Sequence, residues 1–180
     1  MQFQNIELYE TDKFQYLLIH KNGSSSVRAC VDPLNPFVTN KINLNKIKWT
    51  VIRDPYERFV SGLKYDLKRQ NLNIEDVNPS SFYHSVVNTF SRNKGDVNHT
   101  ASQIPYIINS HINWYVELKD LSTFLKMHFD NVQCKNMEEN KIQLNLDKKE
   151  IMKHLELDYY IYNQILGSSY LWKWQQGKIF

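Results

Sequence analysis

The hydrophobic pattern of the chain begins with a short apolar run that ends in a polar turn. The run covers residues 14–19, and the turn covers residues 20–26. Beyond the turn, Val27 and Val31 recur at the spacing of one helical face. The pattern predicts a buried strand, a tight loop and a helix, in that order.

The same design repeats at residues 47–52, a run rich in residues that favour strands. It leads to Asp54-Pro55, a pair typical of a helix cap followed by proline at the first helical position. Residues 114–118 have the pattern of a third strand. A further helix is predicted to begin at Asn78, with Phe82, Val86 and Phe90 on one face, and another at Asp120, with Leu121, Phe124, Leu125 and Phe129 as its apolar positions. A helical stretch is predicted to begin at Asp147 with Ile151 and Leu155, and a last segment, with Tyr159, Tyr162, Ile165 and Leu166, is predicted to end at Gly167. Strands that alternate with helices predict an α/β fold with a central, mostly parallel sheet flanked by helices on both faces.

Two segments lack this alternation. Residues 33–48, rich in Asn and Lys, show no clear periodicity and are predicted to form a surface excursion. Aromatic residues occupy every second position at Tyr170, Trp172 and Trp174. This segment could form a last strand or cover a pocket, but packing in the core or at the sheet edge is the favoured interpretation. Neither segment indicates a domain boundary, so we expect the 180 residues to form a single domain.

Composition narrows the class of protein. Hydrophobic residues make up 42% of the chain and charged residues 23%, with five glycines and five prolines, which excludes collagen-like, low-complexity and mostly disordered chains. The net charge of +3 comes without a basic stripe, which argues against a nucleic-acid partner. No apolar run approaches the ~20 residues that cross a bilayer, and no signal peptide is visible. We therefore predict a cytoplasmic protein without a membrane span, with Cys30 and Cys134 as thiols rather than a disulfide.

The polar turn after the first strand has the chemistry of a phosphate cradle. Gly23 allows the backbone to approach a ligand closely, and Ser24, Ser25 and Ser26 add hydroxyl donors at the start of a helix, whose dipole favours an anion. Lys21 lies just before this glycine, so its ammonium could reach the same anion. The turn differs from the nucleotide-triphosphate loop G-x-x-x-x-G-K-[ST], because here the lysine precedes the glycine. A serine-rich turn that only caps a helix is the alternative interpretation.

The turn after the second strand carries two arginines and a serine. On the predicted helix Arg58 and Ser61 lie three residues apart on one face, and Arg53 at the strand end can point toward that face. Two guanidinium groups and a hydroxyl that converge at a loop suit a second, separate phosphate. For Arg58 the alternative is a solvated ion pair with Glu57 or Asp54.

Together the two turns resemble the nucleotide motifs of sulfotransferases that use 3′-phosphoadenosine-5′-phosphosulfate (PAPS), in their carbohydrate-type (family 2-like) branch. Residues 21–26, Lys-Asn-Gly-Ser-Ser-Ser, resemble the loop that holds the 5′-phosphosulfate, and residues 53–61, Arg-Asp-Pro-Tyr-Glu-Arg-Phe-Val-Ser, resemble the 3′-phosphate motif. The similarity extends to residues 98–103, 115–124 and 157–162. The resemblance implies a P-loop-like three-layer fold, PAPS as the sulfuryl donor and 3′-phosphoadenosine-5′-phosphate (PAP) as the product.

The resemblance also assigns roles residue by residue. The 5′-phosphosulfate would be held by Lys21, Asn22, Gly23, Ser24, Ser25 and Ser26, and the 3′-phosphate by Arg53, Arg58 and Ser61. Sulfuryl transfer needs a stabilised leaving oxygen and an activated nucleophile, so Lys21 suits the leaving group and His99 the role of general base, with His20 as the second candidate. Gln103 is expected to orient the acceptor. No metal is required, because the transferred group carries less charge than a terminal phosphate, and the histidines show no metal-ligand spacing.

The acceptor is expected to be a hydroxyl of a carbohydrate or a small molecule, and neither its identity nor the oligomeric state follows from the sequence. Two other functions stay open. A non-catalytic module that binds PAP or PAPS would keep Arg53 and Ser61 but need no base, and His99 would then be a surface histidine before a helix. An ATP-dependent P-loop kinase would keep the fold but require a Gly-Lys-[Ser/Thr] ending and carboxylates for magnesium, neither of which is evident.

Overall fold

Five strands form one mixed sheet in the part of the chain that the structure describes. The computed structural model describes residues 7–34, 36–82, 99–108, 110–129 and 144–173. The strands are β1 (Glu7–Glu10), β2 (Phe14–Leu18), β3 (Phe37–Thr39), β4 (Ile47–Ile52) and β5 (Trp114–Glu117), in the spatial order β3-β1-β2-β4-β5. β2, β4 and β5 are parallel, whereas β1 is antiparallel to both of its neighbours. The sheet thus has a parallel half and an antiparallel edge.

Helices follow the parallel strands in the chain. The described α-helices are α1 (Ser24–Val31), α2 (Pro55–Gln70), α3 (Ile104–Ile107), α4 (Leu121–His128), α5 (Lys148–His154) and α6 (Glu156–Leu166). α1 follows β2, α2 follows β4, and α4 follows β5 after the short 3₁₀ segment Leu118–Asp120. Each of these helices therefore begins at the carboxyl edge of the sheet, where ligands bind in open α/β folds.

The central strands bury side chains on both faces of the sheet, because successive residues of a strand point to opposite sides. On one face Tyr16 and Trp49 are fully buried against α1 and α4. On the other face Leu17 and Ile52 pack against α6. A third apolar cluster joins α2 to α5. Burial of this kind contributes about 1.5–3 kcal/mol for each large side chain and fixes the position of the loops above it.

The structure confirms the predicted α/β architecture with helices on both faces of the sheet. The strand–turn–helix units at β2–α1 and β4–α2 lie where the apolar runs predict them, and Asp54 and Asp147 cap their helices through side-chain hydrogen bonds. Leu171 extends the parallel half through a bridge to Tyr115, and Trp172 is buried in the core, in keeping with the packing interpretation. None of the helices in the described ranges is long and apolar enough to cross a bilayer.

Several elements differ from the prediction. The sheet is more mixed than expected, because β1 and β3 add antiparallel pairings. β3 lies within the segment predicted as a surface excursion, and its exposed side chains carry no alternating pattern. The helix predicted from Asn78 is the 3₁₀ segment Pro79–Phe82 in the described residues. Val86, Phe90, Cys134 and Trp174 lie outside the described residues.

Candidate functional site

The two predicted phosphate turns lie side by side at the carboxyl edge of the sheet. We call residues 19–26 the first junction and residues 53–61 the second junction. β2 and β4, which lead into them, are hydrogen-bonded parallel neighbours. Arg53 Nη1 donates to the carbonyl oxygen of Lys21 at 3.4 Å, and Asn22 Nδ2 donates to the carbonyl oxygen of Val51 at 2.8 Å. The structure therefore brings the two turns together.

The first junction is a turn in the left-handed conformation followed by a helix without a side-chain cap. Gly23 has φ 77° and Lys21 has φ 67°, a conformation that costs a non-glycine residue about 1–2 kcal/mol. The carbonyl oxygen of Gly23 accepts from the amides of Ser26 and Val27 at 3.0 and 3.1 Å. Among the described residues no side chain caps α1, and Ser25 at its start is exposed. The first amides of such a helix are available to an anion.

The glycine in this turn is also required by space. A Cβ atom at Gly23 would lie 2.6 Å from Leu121 Cδ2 and 2.8 Å from Leu118 Cδ1. The turn is therefore packed directly against the start of α4. Any larger residue would displace the leucine side chains or the turn itself.

In the second junction the start of α2 is held by side-chain hydrogen bonds, one of them within the junction and two from α6. Asp54 Oδ1 accepts from the amide of Glu57 at 3.0 Å, and the hydroxyl of Tyr159 donates to both Asp54 oxygens at 3.0 Å. Burial and the Asp54 carboxylate raise the pKa of Tyr159. Arg53 Nε lies 3.5 Å from Glu57 Oε2, and the Arg53 side chain is 12% exposed. Ser61, one helical turn beyond Glu57, is half-buried.

Arg58 is placed differently from the prediction of a converging phosphate ligand. Its side chain points into the protein, where it is 4% exposed and Nη1 donates to the carbonyl oxygen of Ala101. Four residues further on, a Cβ atom at Gly62 would lie 2.2 Å from the carbonyl oxygen of His99. α2 thus holds the segment 99–103 in direct contact with its backbone. The role of Arg58 at a phosphate stays a prediction.

Gln103 connects the two junctions. Its Oε1 accepts from Asn22 Nδ2 at 3.0 Å, and its Nε2 donates to the carbonyl oxygen of Arg53 at 3.0 Å. The side chain is 1% exposed, so both ends of the amide are used inside the protein. Asp158 of α6 fixes the same segment, since its Oδ1 accepts from Ser102 Oγ at 2.9 Å and from the Gln103 amide at 3.2 Å. The predicted acceptor contact of Gln103 stays a prediction, while the structure gives it a bridging position.

His99 lies in a cluster next to the first junction. The His99 and Tyr65 ring centroids are 4.2 Å apart, and the Lys21 ammonium lies 4.6 Å from the Tyr65 centroid. The His20 ring lies edge-on to His99, with centroids 5.5 Å apart. His99 Nδ1 is 2.8 Å from Asp66 Oδ1, and both residues are buried. Both candidate bases and the candidate leaving-group lysine therefore share one small region.

Burial and neighbouring cations lower the pKa values of Lys21 and His20 in this region. Burial lowers the pKa of the Lys21 ammonium, and Arg53 and Arg58 add to that effect, whereas Asp66 opposes it. Burial lowers the pKa of His20 to about 4, with further contributions from His99 and the nearby cations. His20 is therefore neutral near pH 7, surrounded by positive charge that an anion would offset.

Asp66 and Asp158 were missed as site residues in the sequence. Arg58, Gly62 and Asp66 are spaced four apart and are all buried, so they share the inner face of α2. A carboxylate on the buried face of an amphipathic helix needs a polar partner. That pattern was the available signal for Asp66, although it does not reveal His99 as the partner.

The assembled groups suit the binding and transfer of an anionic group. They comprise an uncapped helix start, a lysine and an arginine at adjoining turns, and a histidine paired with a carboxylate. Within the described residues, no group of His, Cys, Asp and Glu has an arrangement that could hold a metal ion. Comparisons of the chain with protein-family models, with curated proteins and with solved structures gave no match.

Proposed function

We propose that this protein is a PAPS-dependent sulfotransferase that moves a sulfuryl group to a hydroxyl of a carbohydrate or small-molecule acceptor. The observation that carries the proposal is the contact between the two junctions, in which Arg53 donates to the Lys21 carbonyl and Gln103 bridges Asn22 to Arg53. Two anion-binding turns of different build at one sheet edge suit a nucleotide with phosphate groups at two positions. The proposal includes a P-loop-like three-layer fold, and the parallel pairing of β2, β4 and β5 supports it.

The first junction suits the 5′-phosphosulfate end. Its uncapped helix start offers backbone amides, and Lys21 adds a positive charge beside them. The buried Asn22 Oδ1 has no hydrogen-bond partner in the described part of the chain, although its Nδ2 makes two hydrogen bonds. A buried, unsatisfied polar atom in this turn supports the proposal that a polar ligand binds there.

The second junction suits the 3′-phosphate end. α2 is already capped by Asp54, so a ligand there would depend on side chains rather than on free amides. Arg53 lies at the strand end with a partly exposed side chain, and Ser61 lies on the first turns of α2. A guanidinium and a hydroxyl are an effective pair for a phosphate. Arg58 of the same motif is buried and donates to the Ala101 carbonyl oxygen.

The transfer itself needs few chemical groups. The acceptor oxygen forms a bond to sulfur while the bond from sulfur to the bridging phosphate oxygen breaks, and the phosphate oxygen of PAP keeps that electron pair. Lys21 offsets the negative charge that grows on the leaving oxygen. His99 takes the proton of the acceptor hydroxyl. The contacts that Lys21 and His99 each make with the Tyr65 ring support a reaction that uses both groups.

Calorimetry with PAP, PAPS and ATP tests the nucleotide specificity. We expect PAP and PAPS to bind more tightly than ATP, and the variant Arg53→Ala to weaken PAP binding about 10- to 100-fold, because a charge-assisted hydrogen bond is lost. Arg69→Ala removes an exposed arginine from the end of α2 and is the matched control. Equal affinity for ATP and PAP in the unmodified protein would refute the proposal. A labelled-sulfate screen over sugars, lipids, phenols and peptides then separates an enzyme from a non-catalytic PAPS-binding module.

A further inference from the structure

The pair His99–Asp66 is the most enclosed ionisable pair of the described site. His99 Nδ1 and Asp66 Oδ1 are 2.8 Å apart, and the two residues are 8% and 6% exposed. Asp66 makes no other hydrogen bond to a described residue, and His99 Nε2 makes none at all within the described part of the chain. One nitrogen of the imidazole is therefore committed to the carboxylate, and the other is open.

The chemistry of a carboxylate decides which nitrogen carries the proton. An ionised carboxylate only accepts hydrogen bonds, so an imidazole nitrogen bound to it must be a donor. The neutral imidazole has a single N–H, and its second nitrogen then has a free lone pair. The contact with Asp66 therefore selects the form of neutral His99 that is protonated on Nδ1. A general base needs the lone pair that this form leaves on Nε2.

The surrounding contacts fix the ring as well as the tautomer. The Tyr65 ring lies against His99 on one side, the His20 ring meets it edge-on, and α2 holds the His99 backbone against Gly62. Asp66 is also the group that raises the pKa of the nearby Lys21 ammonium. The carboxylate thus interacts with both residues that the proposed reaction uses.

We propose that Asp66 is a positioning residue that holds His99 in its Nδ1-protonated form and keeps Nε2 open toward the acceptor. This inference rests on the proposed function for its role in catalysis, but the tautomer itself does not. In the transfer step the hydroxyl proton moves to Nε2 and the imidazole becomes an imidazolium. Its Nδ1–H stays hydrogen-bonded to Asp66, and the carboxylate offsets the new positive charge without taking up the proton.

Nitrogen-15 NMR of the histidine side chains in the full chain tests the tautomer directly. In the unmodified protein we expect neutral His99 to carry its proton on Nδ1, both without ligand and with PAP added. Asp66→Ala removes the acceptor and should abolish this preference, whereas Asp76→Ala removes an exposed aspartate and should not change it. Neutral His99 protonated on Nε2 in the unmodified protein, or a tautomer ratio unaffected by Asp66→Ala, would overturn the inference.

Binding and turnover separate positioning from a merely structural contribution. We expect Asp66→Ala to slow labelled-sulfate transfer about 10²- to 10⁴-fold while the dissociation constant for PAP changes less than about threefold. In a His99→Ala background the same change should cost little more, since both residues act as one unit. An equal loss in both backgrounds contradicts the inference. Failure of the unmodified protein to bind PAP would instead refute the proposed function and leave the tautomer result standing.

Discussion

The two junctions have the same order of strand, turn and helix but opposite solutions at the helix start. In the second junction Asp54 caps α2, is held by Tyr159 and is followed by proline. In the first junction α1 starts at a left-handed glycine without a side-chain cap, after a lysine that is also left-handed. In the second junction a side chain accepts a hydrogen bond from an amide at the helix start. In the first junction the N-cap residue offers no such acceptor, and Lys21 keeps a left-handed conformation that costs free energy.

The difference indicates how much each junction contributes to the free energy of unfolding. A closed turn contributes to the stability of the fold, so changes to it should lower the free energy of unfolding. An open, conformationally costly turn contributes little to stability and is the kind of feature found at functional sites. Substitutions in the turn of the first junction should therefore mainly lower activity, whereas substitutions at the helix start of the second should mainly lower the free energy of unfolding.

Among the variants that compare the two junctions, Lys21→Ala gives the largest expected effect, and it acts at the first junction. Loss of the ammonium should slow sulfuryl transfer about 10²- to 10³-fold, since one preorganised charge at the leaving oxygen is removed. The free energy of unfolding should hardly change. Transfer of labelled sulfate and denaturant unfolding measure the two quantities, and Lys13→Ala, which removes an exposed lysine, is the control. A variant that unfolds easily but still transfers sulfate at the full rate would reverse the comparison.

Gly62→Ala should disturb the packing of α2 against the segment 99–103. The new Cβ atom would collide with the His99 carbonyl, which is backbone and cannot move aside alone, so we expect a loss of about 2–3 kcal/mol in the free energy of unfolding. Gly167→Ala is the matched control, because a Cβ atom there meets neighbours at an ordinary 3.7 Å. Urea unfolding compares the two variants. Equal stability of both would show that α2 does not press on the segment 99–103.

Asp54→Ala tests the cap of the second junction against the open helix of the first. Removal of the cap and of the partner of Tyr159 should cost about 1–2 kcal/mol. Ser25→Ala, at the start of α1, should change the free energy of unfolding by less than about 0.5 kcal/mol, because Ser25 is exposed and does not cap that helix. Thermal unfolding without ligand measures both changes. A similar loss in the free energy of unfolding for Asp54→Ala and Ser25→Ala would contradict the proposed difference between the two helix starts.

A last prediction concerns the pH dependence of stability and His20 in the first junction. His20 has a pKa of about 4 in the folded chain, below the ordinary value of 6.5, because burial and the nearby cations disfavour its charged form. The unfolded chain therefore binds more protons between these values, so stability is present above about pH 6.5 and falls as the pH falls toward 4. His20→Asn should flatten this dependence, whereas the half-exposed His154→Asn should not. A steeper loss of stability in His20→Asn would contradict the assignment.

The sequence predicts the parallel half of the fold because local patterns and tertiary packing agree there. The apolar runs that became β2 and β4 are buried on both faces, and Asp54-Pro55 starts α2 where capping rules require. β1 and β3 escaped prediction because strands of four and three residues depend on pairing with their neighbours rather than on a pattern of their own. Phe37 and Val38 of β3 are both exposed, so no alternation marks them.

The candidate site was predictable in its backbone but only in part in its contacts. The turns at Lys21 and Arg53 follow from strand and helix signals, and their adjacency follows from parallel pairing. The inward turn of Arg58, the bridge made by Gln103 and the pair His99–Asp66 join positions far apart in the chain. Such contacts depend on how α2 packs against the segment 99–103, which no local pattern encodes.

The most direct test of the central claim is a calorimetric comparison of PAP with adenosine 5′-monophosphate and adenosine 3′-monophosphate. If the two junctions hold opposite ends of one nucleotide, PAP should bind at least about tenfold more tightly than either monophosphate. Lys21→Ala should then reduce the contribution of the 5′ group, and Arg53→Ala that of the 3′ group. If PAP binds no more tightly than adenosine 5′-monophosphate, the two junctions do not share a ligand and the account is contradicted.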